Sequence, residues 1–378
     1  MFAKRIICVL LSVVLIMLTA CSGEDKNDNA QQSPSVTENI SISGVWLTCY
    51  DLSKMLADGT ETTYTEKVQE MLDKCMAQGL DTVFFQARPF ADALYKSAYF
   101  PVSEYACSSS GKAPDFDPLE IFILLAHERN IEVHAWINPF RISYETSENK
   151  LPENCIAKNA DYKDFVVYTS AGVYLDPSSL EAQSLVLSGV REILSGYSVD
   201  GIHIDDYFYP TTDKTFDEES YNNYRQSGGK LKLDKWRREN INALVSAIYD
   251  VVHSYSGVIF SISPCADVDK NRNQLYADVE LWLKKDGYAD LIIPQIYFGF
   301  EHESMPFETV AEKWAGLKRS DNVSLACGLA VYKQNAVDDL AGEGSGEWLK
   351  RNDIIERQKL SISSFGYCGY VLFSYADL

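Results

Sequence analysis

The densest run of reactive side chains in the sequence is Asp200-Gly201-Ile202-His203-Ile204-Asp205-Asp206-Tyr207-Phe208-Tyr209-Pro210. If this run is a strand, its period-two alternation sends Ile202 and Ile204 to one face and His203, Asp205 and Tyr207 to the other. A carboxylate is costly to remove from water unless it is paired or used, so Asp205 and Asp206 in succession on an apolar element call for an explanation. One reading is a catalytic site working through carboxyl groups. The competing reading is a salt-bridged strand end, or a loop aspartate capping the next helix. Adjacent residues on a regular strand point apart, so both carboxylates reach one substrate only if the chain bends there.

The elements that would position such a site alternate along the chain. Strands are expected at Gly44–Tyr50, Thr82–Pro89, Glu132–Phe140, Gly201–Pro210, Val258–Pro264, Asp290–Tyr297, Val323–Tyr332 and Tyr367–Tyr375. Helices are expected at Thr65–Gln78, Pro118–Asn130, Ser179–Tyr197, Leu233–Ser254, Gln274–Lys285, Pro306–Arg319 and Asn352–Ser363. Alternation of this kind means a parallel sheet, and eight repeats in one domain predict a closed (β/α)8 TIM barrel, an α/β fold. No eighth helix follows the last strand, so another segment is expected to cover that gap. The runner-up, a doubly wound sheet, needs a glycine-rich turn after an early strand, and Asp51-Leu52-Ser53-Lys54 has none.

The same alternation places polar and aromatic groups on the inward face of the other strands. The first strand offers Trp46, Thr48 and Tyr50, the second Gln86 and Arg88, the third His134, Trp136 and Asn138, and the sixth Gln295 and Tyr297. The seventh has only Ala326, Gly328 and Ala330 before Tyr332, which leaves space in the mouth. Singly, His134, His203, Trp46 or Trp136 reads as a core residue. Their convergence at strand ends is what a barrel enzyme would show.

Targeting and composition bound the rest. Met1 to Ala20 carries Lys4 and Arg5 before an apolar stretch and reads as a secretory signal. Leu18-Thr19-Ala20-Cys21 resembles a bacterial lipobox, which makes Cys21 the expected lipidation site and predicts a surface protein anchored to the membrane by acyl chains. Residues 21–43 are nearly all polar and read as a tether, leaving 44–378 as one domain. A formal net charge of −20 would repel phosphate backbones, so nucleic acid is not an expected partner. Nothing points to an obligate protein partner. Of nine cysteines, seven remain after Cys8 and Cys21, an odd number; with no Cys-x-x-Cys or closely spaced His pair, no metal or cofactor is expected.

Six segments in order resemble the glycosyl-hydrolase-like 10 family of bacterial surface lipoproteins. They are Gly44-Val45-Trp46, Phe84 to Pro89, Asp115 to Leu119, Glu132 to Arg141, Asp200 to Pro210, and Pro294 to Tyr297. The resemblance spans nearly all of 44–378 and implies a (β/α)8 barrel acting on polysaccharide, some members cleaving peptide-free peptidoglycan strands. Glycoside cleavage needs a carboxylic acid for the leaving oxygen and a carboxylate as nucleophile or base. Asp205 is the leading candidate for one role. Asp206 and Glu301 rank together for the other, with Asp267 and Asp269 behind them. His203 and Arg88 would orient and charge-stabilise the pair, and Asn138 and Gln295 would bond hydroxyls. Trp46, Tyr207, Tyr209 and Tyr297 would stack on sugars; Gln86, His134, Trp136 and Tyr332 complete the expected substrate-binding set. The alternative is a surface lipoprotein that binds glycan in the same groove without cutting it. An acyl hydrolase is disfavoured, because no Gly-x-Ser-x-Gly elbow is present.

Overall fold

Short runs of β-branched and aromatic residues form eight parallel strands in the computed structural model, which describes residues 40–378. The expected signal segment, Cys21 and the tether as far as Asn39 lie outside the described residues. The strands are β1 (Ile42–Leu47), β2 (Thr82–Arg88), β3 (Glu132–Ile137), β4 (Gly201–Ile204), β5 (Ile259–Ile262), β6 (Leu291–Ile292), β7 (Ser324–Leu325 and Cys327–Ala330) and β8 (Gly369–Phe373). β1 pairs with both β2 and β8. β7 is interrupted at Ala326, its first part pairing with β6 and its second with β8, and a bridge from Gln295 to Gly328 crosses the interruption. The strands thus close into the expected (β/α)8 barrel.

Eleven α-helices are described, of which α2 (Glu61–Ala77), α3 (Pro118–His127), α4 (Leu180–Gly196), α6 (Leu233–Val252), α9 (Phe307–Ala315) and α11 (Ile354–Ser364) lie where expected. Their starts follow from local chemistry. Asp117 accepts from the Leu119 and Glu120 amides with Pro118 in the first turn, and Ser179 accepts from Ala182. Two expectations change. The first strand stops at Leu47, not Tyr50, because Thr48 and Asp51 form a reciprocal capping box that opens α1 (Cys49–Leu56). Of the helix expected over Gln274–Lys285 only α8 (Val279–Lys284) forms; a separate α7 (Val268–Asn273) precedes it, and Tyr276 between them adopts a left-handed φ of 54°. After β8 the chain makes one short turn, Tyr375–Asp377, and the Tyr375 ring lies under the Lys74 ammonium of α2.

Two further differences concern boundaries. β1 begins at Ile42, a buried residue paired with Gly369, so the domain starts before the expected residue 44. β4 ends at Ile204, well short of Pro210. Within the barrel, Trp46, Phe84, Trp136, Leu291, Ile293 and Val371 share one apolar cluster, while Val45, Val83, Ala135 and Ile202 face the helices. Space for the large inward rings comes from glycines: a Cβ on Gly201 would sit 2.7 Å from the His134 ring, and one on Gly328 3.0 Å from Trp46. All seven described cysteines are free thiols. No helix among the described residues is long and apolar enough to cross a membrane.

Candidate active site

The strand carrying the aspartates stops at Ile204, and the chain then enters a tight turn in which the Phe208 amide donates to the Asp206 carbonyl at 3.0 Å. This is the bend that two adjacent carboxylates need. Asp205 and Asp206 both line one cavity of about 450 Å3 at the C-terminal mouth of the barrel. Asp205 is buried: Trp136 Nε1 donates to one carboxylate oxygen at 3.0 Å, and the Tyr207 amide at 3.3 Å and the Asn138 side-chain amide at 3.5 Å donate to the other. Burial first, and the Asp206 charge second, push its carboxyl group up to about 7. Burial also raises Asp206, with Gln295, then Lys270 and Arg141, acting against it.

Below the pair lies a neutral floor. Trp46 Nε1 can only donate, and it points at His203 Nε2 at 3.2 Å, so Nε2 accepts and the proton sits on Nδ1, facing Ser261 Oγ at 2.8 Å. Ser263 Oγ lies 2.9 Å from the same Nε2. Burial, followed by neighbouring His134, holds the His203 imidazole well below its ordinary value. His203 is therefore an uncharged strut under Trp46, not the charge-stabilising group expected. His134 lies deeper still, fully buried edge-on against Phe84 at 4.9 Å, and is not part of the cavity wall.

Gln86, Trp46, Trp136, Tyr207, Gln295 and Tyr297 line the cavity as their alternation predicted. Gln86 accepts from the Cys49 amide at 2.8 Å, and Gln295 donates to the Ser263 carbonyl at 2.8 Å. Asn138 sits behind the wall, one end towards Asp205 and the other accepting from the Arg141 amide at 3.0 Å. Tyr332 stands at the rim, edge-on to Tyr297 and Phe373. Five further expected residues are elsewhere. The register between β2 and β3 slips between Gln86 and Arg88, so Ala87 is an extra residue and Arg88 pairs with outward-facing Ile137. Its guanidinium stacks on Phe100, 4.1 Å from the ring centre, and crowds Gly189 of α4. Tyr209 is turned away by the bend after Asp206 and is buried against Tyr276 and Arg237. Glu301 is exposed, outside the cavity wall, and its amide donates to the carboxylate of Glu347, the first residue of α10 (Glu347–Lys350), at 2.9 Å. Asp267 is spent capping α7, and Asp269 pairs at the surface with Lys313.

The cation at the site is one the alternation did not single out. Arg141 opens a strand, Arg141–Ser143, of a small antiparallel sheet completed by Gly172–Leu175 and Val166–Thr169. Its guanidinium lies 4.0 Å from the centre of the Tyr207 ring and 4.5 Å from that of Tyr144, and donates to the Tyr144 hydroxyl at 2.6 Å. Burial works against its charge, but Asp205 and the neighbouring tyrosines outweigh it and hold Arg141 above its ordinary value. A clue was present: it is the only arginine in the segment from Glu132 to Arg141. Thr48 and Tyr50 line the cavity too, as their inward assignment suggested, and Phe90, Tyr144, Asp51 and Lys54 join them without having been expected there. In chemical terms, the mouth offers a proton-holding carboxyl pair, a fixed cation beside it and an aromatic lining.

Comparison with known proteins agrees with this architecture. The chain is 35% identical over 286 residues to glycosyl hydrolase YngK of Bacillus subtilis (strain 168), covering 70% of this chain and 55% of that protein. It therefore spans little more than half the length of that relative. Glycosyl hydrolase DigH of Escherichia coli (strain K12) is 30% identical over 336 residues, covering 79% of this chain and 76% of the relative. Among solved structures, an α-L-fucosidase from Paenibacillus thiaminolyticus aligns with a TM-score of 0.56 at 14% identity, over 88% of this chain and 46% of that one. The β-amylase catalytic domain from Paenibacillus polymyxa aligns with a TM-score of 0.53 at 11% identity, over 83% and 90%. At such identities the two structures speak for the barrel fold alone. Residues 41–341 match the glycosyl hydrolase-like 10 family, and the chain belongs to that family.

Proposed function

We propose that this protein is a glycoside hydrolase that cleaves O-glycosyl bonds of an extracellular polysaccharide, with the glycan strand of peptidoglycan as its substrate. The observation that carries the reading is the bend after Ile204, which turns two consecutive carboxyl groups into one aromatic-lined cavity. The names of the Bacillus and Escherichia relatives support it. Asp205, pushed up to about 7, is the member that holds a proton near neutral pH and gives it to the leaving oxygen. Asp206 is the companion carboxyl group: burial raises it, while the hydrogen bond from Gln295 and the charges of Lys270 and Arg141 favour its charged form. Trp136, Asn138 and the Tyr207 amide fix the acid's orientation, and Arg141 keeps it from rising further. On this reading Cys21 is lipidated and holds the barrel at the membrane surface.

The test is incubation of the purified protein with peptide-free peptidoglycan strands, read by mass spectrometry of the released sugars. Asp205→Asn keeps the shape of the side chain but can neither donate nor take a proton. It is expected to lower kcat by several orders of magnitude, and Asp206→Asn by nearly as much, because residues acting as a unit are not additive. The parent's kcat/KM is expected to fall above about pH 7 as Asp205 loses its proton. Full activity in Asp205→Asn overturns the assignment. Binding of the strands without any cleavage replaces it with the glycan-binding alternative. In cells, Cys21→Ser is expected to release the protein from the membrane fraction.

A further inference from the structure

Four rings run outward from the cavity without a role in the chemistry above. Tyr50 opens α1, Phe90 and Tyr105 lie in the connection from β2 to α3, and Tyr144 follows the Arg141–Ser143 strand. Three separate segments thus bring them together. Tyr50 meets Tyr105 edge-on at 5.3 Å, Tyr105 stacks on Phe90 at 5.9 Å, and Phe90 meets Tyr144 edge-on at 5.4 Å. The inner members, Phe90 and Tyr105, support the strip and are largely covered. The outer members are not: Tyr50 is 53% exposed and Tyr144 52%. Singly, a half-exposed tyrosine is ordinary; these two stand at the ends of one packed aromatic strip beside a concave site, where one ligand can cover both.

Resting on the hydrolase reading of the same cavity, we infer that this strip is a platform for sugar units of the glycan chain beyond the bond being cut. Tyr50, Phe90 and Tyr144 line the cavity that holds Asp205 and Asp206, so a chain seated over the aspartates continues onto the strip without leaving protein surface. A second aromatic group, Tyr297, Tyr332 and Phe373, stands on the β6, β7 and β8 side, with Tyr332 42% exposed. The aspartates, in the turn just past the end of β4, belong to neither group. Sugar rings suit such a track because each presents an apolar face to stack and hydroxyl edges to bond. The exposed Lys54 ammonium and the Tyr144 hydroxyl supply hydrogen-bonding groups along the same wall.

The experiment uses peptide-free glycan fragments from disaccharide to octasaccharide. For the parent protein, kcat/KM is expected to rise with chain length and then level off. In Tyr50→Ala the ratio of octasaccharide to tetrasaccharide kcat/KM is expected to fall about ten-fold, the effect of losing roughly one stacking contact. Tyr50→Phe should restore the ratio. Tyr168→Ala, an exposed tyrosine of the small sheet, should not move it. A ratio unchanged in Tyr50→Ala, or a parent with no length dependence, overturns the platform. A binding arm separates this result from the catalytic claim: Asp205→Asn is titrated with the same fragments by calorimetry. Length-dependent binding that Tyr50→Ala abolishes upholds the platform even if no bond is ever cut. Cleavage of long and short fragments alike upholds the aspartates and removes the platform.

Discussion

Asp205 is held where an ionised carboxylate is least welcome, and the cost falls on folding. Its carboxyl group titrates at about 7 in the fold, with burial as the larger cause and the Asp206 charge as the smaller, against about 4 in an unfolded chain. Between those two values the folded form keeps a proton that the unfolded form has released. Stability is therefore lost as pH rises through this window and stays lost above it. Asp205→Asn removes the ionisation and keeps the shape. The variant is expected to be more stable than the parent at pH 8, by an amount on the order of a few kcal/mol, with the difference shrinking towards pH 4. Thermal unfolding of both proteins across that range checks it, and a parent at least as stable as the variant at pH 8 sinks it. At this scale the sequence was readable wherever alternation held: Trp46, Gln86, Trp136, Gln295 and Tyr297 face inward as read. Arg88 was misread because a single extra residue, Ala87, shifts the register, and a bulge has no period to detect. Arg141 was missed because its position comes from a crossing between two sheets.

The elements explain why the strand mouths are crowded with chemistry but the strands are short. β4 contributes four residues and then yields to a turn, because Asp205 and Asp206 find partners in Trp136, Asn138 and Gln295 and not in ladder bonds. Its first residue, Gly201, lies opposite His134 in the β3–β4 register, where any side chain meets the imidazole. Gly201→Ala is expected to cost about 1–3 kcal/mol, as overpacking does in a filled core. His134→Ala placed in the same chain should return part of that loss, so the two changes couple. Denaturant unfolding of the single and double variants measures the coupling; additive costs would mean that the ring and the glycine do not share space. The expectation of a strand as far as Pro210 failed for a related reason. Composition over Asp205 to Pro210 favours a strand, but side-chain bonds and the Asp206–Phe208 turn decide the backbone.

At the scale of the molecule, counting eight strand–helix repeats was enough to read the closed barrel, because closure is a global property that tolerates boundary errors of several residues. The start of the domain was less legible. Ile40-Ser41-Ile42-Ser43 alternates apolar and polar residues as a strand does, yet it comes after a long polar run and was grouped with it. In the structure, the Ile42 side chain is 3% exposed, its amide donates to the Cys368 carbonyl at 3.2 Å, and the Ser43 amide donates to Asp81 at 2.9 Å. These residues fasten β1 to β8 and β2, the seam at which the barrel closes. A chain beginning at Ile40 is expected to unfold in one cooperative transition, since no strand of the barrel can leave without opening the ring. A chain beginning at Gly44 loses one buried isoleucine and at least three hydrogen bonds, the two above and that from the Asp81 amide to the Ser43 carbonyl, and is expected to be less stable by about 2–4 kcal/mol. Paired denaturation curves of the two chains decide the matter. Equal midpoints would show that the seam closes without Ile42, and two separate transitions in the longer chain would show that the barrel is not a single folding unit.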